Sequence, residues 1–174
     1  MTAPDPPLDV AELASVADER TAAEAFLEYY REAVVRKLRG VSEADARRRL
    51  VASATTLGGI VKHLRWVEVN WFQRVLAGRP ESDLPPPPWT DEDPDADFRL
   101  EPDESVEGVI AEYEQVCARS REVAASRSLD DTGRHRRLGA VSLRWIYLHM
   151  IEETARHAGH ADILRELIDG STGE

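Results

Sequence analysis

The chain has 174 residues, a hydrophobic fraction of 42%, a charged fraction of 32% and a net charge of −11, as expected of one soluble globular domain long enough to bury a core. The acidic balance excludes a basic footprint for nucleic acid or anionic membranes, and no run of about 18 apolar residues is present to span a bilayer. The N-terminus has no basic region followed by an apolar stretch, and the one cysteine, Cys117, cannot form an internal disulfide, so a reducing cytoplasm is the expected location.

Residues 1–16 are rich in Pro and Asp and read as a loosely held leader. A helical period begins near Asp18: Ala23, Phe26, Leu27, Tyr30, Val34 and Leu38 form one stripe, ended at Gly40. Ser42 and Asp45 resemble a cap for a short Arg-rich piece reaching about Leu50. Thr56 is placed as the N-cap of a second long helix, Leu57 to about Ala77, stopped by Gly78 and Pro80. Its stripe is Ile60, His63, Leu64, Val67, Trp71 and Val75. His63 therefore lies on the apolar face, as a metal ligand or a satisfied core histidine would.

Residues 81–103 hold four consecutive prolines and an acidic run without helical or strand period. They read as an extended crossover whose acids stay solvated, with Trp89 and Phe98 pinning it by packing. Asp103 or Ser105 caps a third long helix with Val106, Val109, Ile110, Tyr113, Val116, Cys117 and Ala124 on one face; there Cys117 reads as a small buried hydrophobe. Residues 129–139 form a connector carrying Arg134, His135, Arg136 and Arg137, a solvated loop that could also meet an anion at a site mouth.

The fourth long helix, Ser142 to Asp169, has an apolar stripe of Trp145, Leu148, Leu164 and Leu167 in which His149, Glu153, His157 and His160 also fall. Residues 170–174 are a polar tail. With no convincing strand, the expectation is one all-α domain over 17–169. It is a four-helix bundle with a long crossover between helices 2 and 3.

A carboxylate on a buried stripe is costly unless it is paired or holds a metal. Glu153-x-x-x-His157 spans one helical turn and aims an oxygen and an imidazole nitrogen at a common point, which suits a divalent cation or a simple hydrogen-bonded pair. In a bundle, His63 can face both. Two imidazoles and one carboxylate leave a coordination position open, the arrangement of a catalytic site rather than a closed structural one. Such a metal could activate water, polarise a carbonyl or hold a thiol as its thiolate.

The segments TTLGGIVKHLRWVEVNWF and HMIEETARHAGHADILREL resemble the DinB/YfiT-like superfamily of bacterial four-helix metalloproteins, nearest the branch of mycothiol-dependent maleylpyruvate isomerase. The likeness covers about residues 17–169. It implies that His63, at the end of the Gly-Gly segment, and Glu153 and His157, followed by Gly159, hold a divalent metal, zinc or nickel. His160 stands where many members have Gln and is expected to support a ligand. His149 is a fourth ligand, a hydrogen-bonding partner of one, or a core residue. Trp66, Trp71, Trp145 and Tyr147 line a pocket over the metal or belong to the core; Arg144 and Arg156 hold a substrate anion or are ordinary exposed arginines. No catalytic group beyond the metal site is assigned.

The resemblance further implies thiol transfer or isomerisation on a small molecule with mycothiol or bacillithiol as cosubstrate, in a chain without the isomerase's extra C-terminal domain. Two other activities stay open, a metal-dependent hydrolase and a non-catalytic, stress-related small-molecule-binding bundle. Family members include monomers and dimers, and a homodimer is the expectation here.

Overall fold

Each long helix starts where the sequence supplies an oxygen to its free amide groups. In the computed structural model, which describes residues 9–172, Asp18 caps α2 (Glu19–Leu38), Thr56 caps α4 (Leu57–Glu68), Ser105 caps α5 (Val106–Ala125) and Ser142 caps α6 (Leu143–Asp169). Short turns α1 (Val10–Leu13) and α3 (Glu43–Ala46) are capped by Asp9 and Ser42. Residues 1–8 of the expected leader lie outside the described residues. From Asp9 on it forms α1, whose capping box with Glu12 and buried Ala11 set it on α2.

The protein is mostly helical. α2 packs along α6, α4 along α5, and the crossover's helical turn at Ala96–Phe98 packs on α4. Leu38, Ile60, Leu64, Tyr113 and Leu164 belong to one apolar cluster; Leu27, Phe72, Ile146 and Met150 belong to another. Between the residues feeding the two clusters stand Arg31 of α2 and Glu68 of α4, a buried pair joined at 2.8 and 2.7 Å.

Four expectations need correction. The second long helix is not α-helical throughout: Val69–Leu76 winds as a π-helix, with the amide of Ala77 bonding the carbonyl of Phe72 at 2.9 Å. This wider winding buries Trp71, Phe72, Val75 and Leu76 together with Gln73.

The connector contains strands. β1 (Thr132–His135) pairs antiparallel with β2 (Gly139–Ser142), and Gly139 closes the turn at φ 75°. Each strand has four residues, too short for an alternating pattern to register. The ribbon is held from outside instead. A Cβ at Gly133 would lie 2.2 Å from the Val75 carbonyl oxygen, so the backbone of β1 rests directly on the π-helix.

The core face of α6 is Ile146, Met150, Thr154, His157, Ala158, Ala161 and Leu164, whereas Trp145, Leu148 and Leu167 are exposed, as is Phe26 of α2. Small residues mark where neighbouring helices approach, and a stripe counted from large apolar residues misses them. Finally, the crossover's acids are not all solvated. Asp97 is buried.

Candidate metal centre

The site is assembled from three segments: α4, α6 and the crossover. α4 begins with paired glycines because the crossover lies against its first turn. Both the amide and the hydroxyl of Thr56 donate to the Phe98 carbonyl, at 3.3 and 3.2 Å. A Cβ on Gly59 would stand 1.7 Å from that same oxygen. Only glycine admits this approach, and the approach sets Asp97 and Phe98 beside His63, one turn further along α4.

There Asp97 Oδ2 lies 2.7 Å from His63 Nδ1, and Phe98 stacks on the imidazole with ring centroids 4.1 Å apart. An ionised carboxylate only accepts, so Nδ1 carries the proton and donates it. Nε2 is then turned towards α6, 3.2 Å from Glu153 Oε1. His157 Nε2 lies 3.4 Å from the same oxygen, and the two imidazole rings are 4.8 Å apart. His63, Glu153 and His157 each offer one donor atom within 4.8 Å of the other two.

The donor set and its spacing fit a divalent ion. Donors around a tetrahedral ion with bonds of about 2.0–2.1 Å stand roughly 3.3–3.4 Å apart, and the two contacts to Glu153, 3.2 and 3.4 Å, are close to this. Asp97 behind His63 is the carboxylate–imidazole support that metal-binding histidines use to fix tautomer and ring direction. Nδ1 of His157, by contrast, is buried without a partner among the described residues.

The ionisation follows the geometry. Burial pulls the His63 imidazolium pKa down, but hydrogen bonds donated to Asp97 and Glu153 outweigh it and the net shift is upward. Glu153, hydrogen-bonded by His157 and His63 against the opposing effect of burial, is held well below the usual carboxylate range. The cluster as it stands is a proton-bearing network of the groups that an ion would bind.

His160 is exposed, with its ring edge-on to His157 at 5.3 Å. It lines an apolar pocket of about 280 Å³ with Val51, Ile163 and Leu164. Burial, with the nearby His157 and Arg156, lowers its pKa. On the other side His149 joins an aromatic group rather than the three donors. Its ring lies 4.6 Å from Trp71 and 5.1 Å from Trp145, and burial lowers its pKa.

The remaining candidates are elsewhere. Trp66 packs edge-on against Trp89, as the crossover's pinning required, in a separate apolar cluster with Val69, Leu84 and Val116. Tyr147 donates to Glu24 of α2 at 2.8 Å. Arg144 is engaged by Glu19 and Asp130, and Arg156 pairs with Glu152 on its own helix. Cys117 is buried, which pushes its thiol pKa up and leaves it inert. Asp97 was missed because no short spacing links it to His63; only the Gly-Gly pair hinted that another segment comes close.

The profile of a DinB-like family described as mycothiol-S-transferase matches residues 22–170 of the chain. No curated protein matches it. Among the described residues, no helix is long and apolar enough to cross a membrane.

Proposed function

Because the chain belongs to the mycothiol S-transferase family, we propose that it is a divalent-metal-dependent transferase joining mycothiol to a small electrophile. His63, Glu153 and His157 would hold the ion, zinc or nickel by the chemistry of the donors. In this reading the four long helices form a single domain, 17–169, as a four-helix bundle whose second and third members are linked by the crossover.

The observation that carries the proposal is the convergence of three donors from two helices with Asp97 fixed behind one of them. When bound there, the metal would lower the pKa of a coordinated thiol and leave a sulfur nucleophile at neutral pH. The protein's part is orientation. Asp97 keeps the Nδ1 proton of His63 pointed away from the site, which leaves Nε2 available as a donor. Phe98, stacked on His63, keeps water from that flank. Glu153 and His157 are held at fixed spacing by the helical turn between them. With only three protein donors, one side stays free for the thiol.

The test begins with elemental analysis of the purified protein beside His63→Ala. About one equivalent of metal in the parent, largely lost in the variant, is expected. Mycothiol-dependent consumption of a model electrophile should follow the metal. Absence of metal from both proteins after incubation with excess ions would sink the proposal. Turnover without any thiol would instead identify a metal-dependent hydrolase.

A further inference from the structure

On a chain of net charge −11, arginines gather on one groove that the proposed chemistry leaves without a role. It lies between the π-helix and the β1–β2 ribbon, has a volume of about 490 Å³, and is lined by Asn70, Arg74, Glu81, Arg134, His135 and Arg136. Its one acid, Glu81, is already bonded to Arg74 at 2.8 Å. Arg134 and Arg136 are exposed and make no ion pair among the described residues, and Nε of Arg74 is buried with no partner. Nδ1 of His135 accepts the amides of Arg137 and Leu138 at 3.3 and 3.2 Å, so Nε2 bears the proton and is a donor too. The groove thus offers an excess of donors and positive charge. Its chemistry is that of an anion site.

The groove is connected to the metal-ligand cluster by rings. His135 stacks on Trp71 with centroids 5.1 Å apart. Trp71 meets Trp145 and His149, and His149 stacks on Trp145 at 5.1 Å. His149 in turn precedes Glu153 by about one helical turn, four residues or ~6 Å along the axis. Trp145, 39% exposed, gives this strip an accessible face. Trp71 itself is buried, so a ligand held at the arginines would meet this strip at the exposed Trp145.

We propose that the groove binds a carboxylate carried by the acceptor substrate, whose flat, unsaturated body lies against Trp145 and His149, on the side of the groove nearer the metal-ligand cluster. The assignment rests on the transferase reading for its purpose, but not for its measurement. The substrate class is an aromatic or conjugated organic acid.

The experiment is calorimetric titration of the full chain with 2-naphthoate and with its uncharged counterpart 2-naphthamide. The parent should bind the carboxylate on the order of tenfold more tightly, the effect of a charge-assisted contact. In Arg134→Gln/Arg136→Gln this preference should vanish while naphthamide affinity is unchanged, and Arg134→Lys/Arg136→Lys should keep part of it. Unchanged naphthamide binding and far-ultraviolet circular dichroism show that the variants fold. His63→Ala should retain the full preference, so failure of the metal reading and failure of the groove are distinguishable. Equal binding of the two probes, no binding of either, or a full preference surviving in the glutamine variant would overturn the assignment.

Discussion

Replacing Gly59 with alanine should damage the proposed metal centre without touching any of its donors. The added Cβ would lie 1.7 Å from the Phe98 carbonyl oxygen and 2.0 Å from its carbon, whereas ordinary contact begins near 3.4 Å. The obstacle is backbone on both sides, so the crossover must retreat by the difference, about 1.7 Å. A shift of that size breaks both Thr56 bonds to Phe98 and carries the adjacent Asp97 out of its 2.7 Å contact with His63. Two neutral hydrogen bonds at about 1 kcal/mol each and one charge-assisted bond at about 1.5–3 kcal/mol are lost. The better helix propensity of alanine returns about 1 kcal/mol. The expected destabilisation is about 3 kcal/mol, read by urea denaturation of the metal-free protein. Metal affinity should fall about 10- to 100-fold, the usual consequence of losing the partner of a liganding histidine, read by competition with a chromogenic chelator. Asp97→Ala should give the same affinity loss, and the double variant should lose little more, because both act through one contact. A Gly59→Ala protein that melts like the parent and takes up metal with parental affinity would refute the coupling.

Other expectations follow from the buried groups. Arg31→Met alone leaves Glu68 charged and fully buried and should cost about 3–5 kcal/mol in urea denaturation, whereas Arg31→Met combined with Glu68→Leu should recover most of it. Cys117 should resist iodoacetamide in the native protein and react once the chain is unfolded, as mass spectrometry would show, because burial raises its pKa and blocks access. Chelation should lower the melting temperature of metal-loaded parent but not of His63→Ala; an ion at 100 times its Kd stabilises by about 2.7 kcal/mol. The His63 pKa is raised on folding, so its stabilising effect is full below its unfolded value near 6.5 and is lost as pH rises through the folded value. Metal-free protein should therefore lose stability over that window, while metal uptake should strengthen with pH and release protons, measurable by calorimetry in buffers of different ionisation enthalpy.

Much of this was legible in the sequence because caps and helical spacing are local. Asp18, Thr56, Ser105 and Ser142 each stand one residue before an observed helix, and Glu153 and His157 lie on one side of α6 by periodicity alone. What was missed depends on contacts between segments. Asp97 sits in an acidic run whose composition says solvent, yet two hydrogen bonds and two glycines some forty residues earlier bury it. The ribbon was hidden because β1 is held by Val75 rather than by an apolar face of its own. The core face of α6 was drawn through Trp145 and Leu148, whereas Thr154, Ala158 and Ala161 carry the helix contact.

Charge balance is a further argument for the proposed ion at this site. Two carboxylates, Asp97 and Glu153, flank His63 within 2.7 and 3.2 Å at low exposure. Two carboxylates held this close to an imidazole in a partly dehydrated place need positive charge beside them. A divalent ion with neutral imidazoles cancels both carboxylates. It also gives Nε2 of His157 a partner better than its 3.4 Å contact with Glu153. A network serving only the fold would do as well with apolar side chains of the same volume. Such a network has no need of Asp97 buried behind His63, nor of two glycines that let the crossover bring it there. These features make sense together if the donors are positioned for an ion.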